Sequence, residues 1–364
     1  MIPVSKPLIN SDAIRKVNIA LKDGWVSSRG KFVNQFEKKL KNYFSAKYVS
    51  TCSNGTAALM LALKALDIKS NDEVIVPDLS YAASINSIIN VGAKPVICEI
   101  DKDTWCIDPN KIREKITKRT KAVMVVHLYG QACDMKNISK ICRKNNLYII
   151  EDAAEAFGSK LNGKFLGTFG DVGCFSFFGN KTISTGEGGC CVVQRKKIYD
   201  KILLYKNHGM SDKKKYFHYV PGYNFRITNL QSAIGISQLR NIKFFKKKRK
   251  YIEDFYTKEF SKSNIFIKQK NINKCEKINW IFTALFKSTK FQKILKELMK
   301  NNIEVRRCFY PFHTIDIYKK YIPKKFDKKN SLFVFRNAIS LPTFVSIKKN
   351  ELKKISKIIK RFIY

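Results

Sequence analysis

The chain has 364 residues, with 70 lysines and arginines against 29 acids for a net charge of +41, and ten cysteines. That length suffices for two domains and a large core; no apolar run approaches the roughly 20 residues that span a bilayer, and the Met1-Ile-Pro-Val-Ser-Lys-Pro7 opening has no apolar h-region, so a soluble, cytoplasmic protein is expected. The cysteines form no C-x-x-C pair and no His/Cys metal spacing, so Cys98, Cys174, Cys190 and Cys191, each inside an apolar run, read as buried thiols rather than a disulfide framework or metal site.

Ser11 is placed to cap a first helix with Ile14, Val17 and Leu21 on one face, closed by Gly24. A loop, Trp25–Gly30, leads to a second helix carrying Val33, Phe36 and Leu40. The strand Tyr48–Cys52 turns through Ser53-Asn54-Gly55-Thr56 into a helix rich in Ala and Leu, Ala57 to Leu66. Strands are then predicted at 73–76, 95–100, 122–126 and 147–150, with helices over 82–90, from Asp108-Pro109 onward and over 135–144. Two more strands, near 173–177 and at 189–193, flank a glycine-rich stretch. Short apolar strands alternating with helices predict an α/β, mostly parallel, doubly wound sheet, whose ligands sit beyond the carboxyl ends of the strands. Cys190 and Cys191, adjacent on a strand, are expected to face opposite ways.

Thr228 caps a long helix through Gln231, Ala233, Ile236 and Leu239, which runs into the Lys246–Lys250 cluster. The domain boundary is expected there, giving a large domain over 1–245 and a small α+β domain over 246–364. The latter carries predicted strands at 280–286 and 303–306 and helices at 291–300 and 352–359. The charge has two readings: a surface for nucleic acid or another anion, or a compositional bias in a chain also rich in Asn and Ile. The lysines are spread along the chain without a basic tail, RNP motif or zinc-finger spacing, which favours the second.

Three features could carry chemistry. Ser53-Asn54-Gly55-Thr56 opens a helix directly after a strand, where free amides and the helix dipole suit an anion. Glu151-Asp152 ends an apolar strand, at the edge where sites form. Lys181 lies in Ser176–Gly189, between apolar strands and beside the Gly186-Glu187-Gly188-Gly189 turn. A partly desolvated lysine there is a usable nucleophile. Anion cradle, strand-end acid and enclosed lysine, in that order, form the layout of a pyridoxal-phosphate enzyme: the lysine for a Schiff base, Asp152 for the pyridinium nitrogen.

The sequence resembles the DegT/DnrJ/EryC1/StrS family of sugar aminotransferases over nearly its whole length. The matching segments are Ser53–Leu59, Val74–Pro77 with Tyr81, His127–Gly130 with Asp134-Met135, Glu151–Ala154, Gly170-Asp171, Phe175–Phe177, Lys181–Gly189, Gly222–Arg226 and Tyr310–His313. The resemblance implies the aspartate aminotransferase type of fold (fold type I) and these roles. Lys181 binds the cofactor covalently and shuttles protons, Asp152 pairs with the ring nitrogen, and Tyr81 stacks on the ring. Glu155, where many relatives have Gln, lies near the 3′-oxygen. Gly55, Thr56 and Ser176 hold the phosphate. Asn224 reaches the cofactor of a neighbouring subunit, which makes the expected form a homodimer, and Arg226 and His313 lie near a nucleotide-linked sugar.

Phe177–Ile183, with Phe178 where many relatives have His, and Gly222–Asn229 are similar to the subgroup that aminates C4 of GDP-4-keto-6-deoxymannose. That implies L-glutamate as donor, ping-pong kinetics, and a product destined for a surface polysaccharide such as O-antigen. A branch of the family with histidine in place of the lysine dehydrates sugars; Lys181 argues against it. The alternatives are a UDP- or dTDP-linked keto sugar and, in another class, a non-catalytic regulator or nucleic-acid binder of the same fold. No specific nucleic acid, membrane insertion or metal is expected. His127 reads as structural, His208 as near substrate, and His218 as exposed.

Overall fold

The computed structural model describes residues 1–211, 213–287 and 290–363. The first two-thirds of the chain carries strands β1 (Tyr48–Cys52), β2 (Glu73–Pro77), β3 (Lys94–Cys98), β4 (Thr120–Val126), β5 (Tyr148–Asp152), β6 (Lys160–Leu161), β7 (Lys164–Phe165), β8 (Val172–Ser176) and β9 (Gly189–Val193). Its helices are α1 (Ser11–Lys22), α2 (Lys31–Phe44), α3 (Gly55–Ala65), α4 (Ala83–Asn90), α5 (Pro109–Lys115), α6 (Met135–Lys144), α7 (Lys196–Lys206), α8 (Asn229–Arg240) and α9 (Ile242–Phe260). A seven-stranded sheet has the order β1-β9-β8-β5-β4-β2-β3. The run from β8 to β3 is parallel, and β9 is antiparallel to both neighbours. Alternate strand residues enter opposite cores: Ile75, Val123, Val125 and Cys190 pack on one face, and Val74, Val76, Met124, Ile150 and Cys191 on the other. Both faces are covered, as the continuous apolar strands require.

The rest of the chain adds β10 (Phe266–Lys268), β11 (Cys275–Glu276), β12 (Phe282–Phe286), α10 (Phe291–Lys300), β13 (Arg306–Arg307), α11 (Lys329–Asn337), β14 (Ala338–Leu341) and α12 (Lys349–Ile363). An antiparallel sheet, β10-β12-β14-β13, is backed by a third core containing Ile252, Tyr256 and Phe260 of α9, Ile294 and Leu298 of α10, and Ile355 and Ile359 of α12. The small strand β11 pairs instead with the β6–β7 hairpin of the large sheet's side. Among the described residues, no helix is long and apolar enough to cross a membrane, and no group of His, Cys, Asp or Glu could hold a metal ion.

Three local expectations change. Asn10, not Ser11, caps α1, its side chain accepting from Ala13 N–H at 2.9 Å. The face expected to be buried is mostly outward: Ile14 and Leu21 are exposed, while Ala13 and Ala20 are buried. The small alanines let α1 pack closely on α8. The long helix after Thr228 is two helices. Thr228 and Gln231 form a reciprocal capping box, α8 ends at Arg240, and α9 then runs through the whole lysine cluster. On α9, Phe245 belongs to the large core and Ile252 to the small one. The transition expected at 245/246 therefore lies within a continuous helix.

Candidate active site

Strand register brings the site together. Asp152 at the end of β5 is level with Cys174 of β8, Ser176 at the end of β8 is level with Gly189, and Gly189 is level with Cys52 at the end of β1. The helix α3 therefore starts beside Ser176. Asn54 caps it, its Oδ1 accepting from Ala57 N–H at 2.8 Å, and the amides of Gly55 and Thr56 have no acceptor within the helix. A Cβ on Gly55 would stand 2.8 Å from Ser176 Cβ, and one on Gly189 2.6 Å from Asn54 O. Glycine is needed at both places for the helix start to meet the strand ends.

A cavity of about 470 Å³ opens over this edge. Gly55, Thr56, Tyr81, Asp152, Glu155, Ser176 and Lys181, all singled out from the sequence, line it. Asp152 is buried; its Oδ2 accepts from Ser84 Oγ at 2.7 Å and its Oδ1 from Ala154 N–H at 3.2 Å. Burial pushes its pKa up, against the Ser84 and Ala154 bonds and the charge of Lys181. Glu155 accepts from Tyr129 N–H at 2.8 Å, and its other oxygen lies 3.9 Å from Lys181 Nζ. Burial lifts its carboxyl to about 7, partly offset by Lys181. Burial likewise lowers the Lys181 pKa, opposed by Glu155 and Asp152. An enclosed amine so depressed spends more time as the free base.

The lysine is presented by a tight turn: Lys181 N–H donates to Phe178 O at 2.9 Å, Thr185 N–H to Phe177 O at 2.8 Å, and Phe177 N–H to Gly188 O at 2.7 Å. Gly188 sits at φ +155°, where a Cβ would meet Thr185 Oγ1 at 2.3 Å.

Three expected site residues do not line the cavity. Asn224 is exposed and accepts from Arg226 Nε and Nη2 at 3.1 and 2.8 Å; Arg226 Nη2 lies 3.4 Å from His208 Nε2. The backbone between them is tied to the cradle, Phe225 O accepting from Ser53 N–H at 2.9 Å. His313 is buried against Asp78, with Nδ1 2.7 Å from Oδ2 and its own N–H donating to Oδ1 at 2.9 Å. His127 is buried in a structural network: Nδ1 accepts from Cys133 N–H, so Nε2 donates to Glu151 at 2.9 Å. Glu151 also gathers the amides of Gly167, Phe169 and Gly170, so this acid supports a loop while its neighbour Asp152 faces the cavity. His218 is exposed.

The sequence reading missed Trp280, Arg306 and Phe309, which reach the cavity from the far part of the chain. No local motif marks them.

A sequence profile of the DegT/DnrJ/EryC1/StrS aminotransferase family matches residues 7–360. The chain belongs to that family. The GDP-perosamine synthase of Escherichia coli O157:H7 is 40% identical over 362 residues, 99% of this chain and 98% of that protein. The GDP-perosamine synthase of Vibrio cholerae is 40% identical over 366 residues, 100% and 99% of the two chains. The structure of Spr1654 from Streptococcus pneumoniae in its PLP-form superimposes with a TM-score of 0.92 at 27% identity, covering 99% of this chain and 98% of that one. As a member of the DegT/DnrJ/EryC1/StrS family, this chain is a pyridoxal-phosphate-dependent sugar aminotransferase with the corresponding α/β fold.

The cavity suits that cofactor on its own evidence. A buried acid whose pKa is raised gains from a cationic N–H partner such as a pyridinium. The glycine-pinched helix start beside Ser176 suits a phosphate. Lys181 and Glu155 line the same cavity, and Tyr81 offers an exposed aromatic face.

Proposed function

We propose that the chain transfers the amino group of L-glutamate to C4 of a nucleotide-linked 4-keto-6-deoxy sugar, GDP-4-keto-6-deoxy-D-mannose, giving GDP-perosamine in the cytoplasm for polysaccharide synthesis. The observation that carries the substrate is the 40% identity, over essentially the full length, to two relatives of that name. Lys181 is the residue that bonds the cofactor. Asp152 pairs with its ring nitrogen, Gly55, Thr56 and Ser176 hold its phosphate, Tyr81 covers the ring, and Glu155 serves the 3′-oxygen. Asn224, which does not line the cavity of its own chain, serves the cofactor of a neighbouring subunit of a homodimer, and Arg226 serves the nucleotide-linked sugar. His313, fixed by Asp78, supports the wall nearest the sugar. The large domain, 1–245, carries the cofactor, and the small domain, 246–364, closes over it.

Pyridoxal phosphate, when bound, supplies a ring that stabilises negative charge on the carbon losing its proton. Lys181 Nζ removes the α-proton of the amino donor, and in the return half it delivers a proton to C4 of the sugar. Its depressed pKa favours the first task. Asp152, as an anion, keeps its partner N–H protonated. Trp280, Phe309, Phe178 and Tyr81 exclude water with apolar surface. The test is to incubate protein, pyridoxal phosphate and glutamate with GDP-, UDP- and dTDP-linked 4-keto sugars and to weigh the products. The GDP-linked sugar should be aminated in preference, with a visible absorbance that borohydride removes and Lys181→Ala lacks. Equal turnover of UDP-linked sugar would refute the substrate, and absence of the absorbance would refute the role of Lys181.

A further inference from the structure

Trp280 stands where the small sheet meets the lysine turn. Its ring is buried, and Lys181 Nζ lies 3.7 Å from the centre of that ring. The ring is fixed in three ways. Its Nε1–H donates to Asn180 O at 2.8 Å, a carbonyl that also accepts from Ser5 Oγ at 3.1 Å. Its face stacks on Tyr129, with centroids 6.2 Å apart and planes 14° from parallel. Its own carbonyl accepts from Nη1 of the buried Arg249, which also donates to Asn279 O and Thr343 O. Tyr129 is itself held at φ +54°, so that its N–H meets Glu155, and it stacks on Phe309 with planes 4° apart.

The groups facing Lys181 are Asp152 from the end of β5, Glu155 from the loop after it, Arg306 from β13, and the Trp280 face; Glu187 lies on the cavity wall. At 3.9 Å, Glu155 makes no hydrogen bond to the amine. The π-face is the surface in contact with Nζ, and it attracts an ammonium without taking a proton from it. From this geometry we infer that Trp280 is a positioning residue for Lys181: its ring is the resting place of the lysine nitrogen whenever that nitrogen is not bonded to the cofactor. The ring holds the ammonium form there and keeps Nζ at the mouth of the turn for the next proton transfer. This assignment rests on the function proposed for Lys181.

The experiment uses the full-length protein freed of cofactor. The rate at which it captures added pyridoxal phosphate is followed by absorbance across pH, because only the unprotonated amine attacks. Without the ring the ammonium loses a partner, so Trp280→Leu should lower the midpoint of this profile by about one pH unit. Trp280→Phe, which keeps a face and loses the N–H, should stay within a fraction of that shift from the wild type. The same fall should appear in a Glu155→Gln background, which removes the competing carboxylate. A midpoint that is unchanged or rises in Trp280→Leu overturns the inference, even if capture slows at every pH, since a wall residue would do that alone.

Should Trp280→Leu fail to fold, the unaltered protein supplies the reading. Among its three indoles, one fluorescence component should titrate at the capture midpoint and be lost in Lys181→Met; a component at that midpoint that persists in Lys181→Met overturns the inference. If the wild type forms no borohydride-fixed adduct at all, the function proposed for Lys181 falls; if it forms one and the midpoint does not move, only the assignment to Trp280 falls.

Discussion

Consider Glu155→Gln in the protein stripped of cofactor. Glu155 is buried, and its carboxyl is lifted from an ordinary 4.5 to about 7. Between those values the folded state holds one proton that the unfolded state has released. Stability must therefore fall as pH rises, by about 1.4 kcal/mol per unit. The contribution is fully present below the unfolded pKa and lost as pH passes the folded one, an upper bound of about 3 kcal/mol in all. Glutamine keeps the shape, can still accept from Tyr129 N–H through its oxygen, and does not titrate. Urea unfolding of both proteins from about pH 5 to about pH 8 measures the difference directly. The wild type should lose stability relative to the variant across that range. A constant difference would show that the folded-state pKa of Glu155 is at or below its ordinary value, so that Lys181 offsets burial; that outcome refutes the reasoning.

Two further perturbations probe the frame. Gly55→Ala puts a Cβ 2.8 Å from Ser176 Cβ, so α3 or β8 must shift; pyridoxal phosphate affinity should fall roughly tenfold or more and stability by about 1–3 kcal/mol. Unchanged affinity in a cofactor titration would reject the cradle. Arg249→Met leaves the carbonyls of Asn279, Trp280 and Thr343 without their buried donor; it should cost about 2–4 kcal/mol by urea unfolding and slow cofactor capture through the displaced Trp280. A variant as stable as the wild type would show that these bonds contribute little.

What could be read in the sequence was whatever is local. Gly55 starts a helix, Asp152 ends a strand, and Lys181 lies in the turn that joins β8 to its neighbour β9; a doubly wound sheet gathers such ends on one edge whatever the tertiary detail. Trp280 could not be read that way: its partner Asn180 lies 100 residues earlier, and alone it is an aromatic residue entering a strand. Strand β14, Ala338–Leu341, was missed because four residues give little periodicity, yet it lies inside the small sheet between β12 and β13. Ile14 and Leu21 were assigned inward because helical spacing shows that a stripe exists without showing which stripe is covered; the adjacent alanines won by allowing a closer approach. The Lys246–Lys250 cluster read as a break because of its charge. On α9 those lysines have long stems to reach water, while Arg249 turns inward to backbone carbonyls.

The shared helix α9 has a consequence for how the molecule comes apart. It is anchored by Phe245 in one core and by Ile252, Tyr256 and Phe260 in the other. Melting either core removes the support from half of a helix whose turns are cooperative along its length. The two cores are thus mechanically joined, and heating should unfold them in one transition. Any cut or graft made at 245/246 severs a hydrogen-bonded helix rather than a tether, so neither half is a transplantable part.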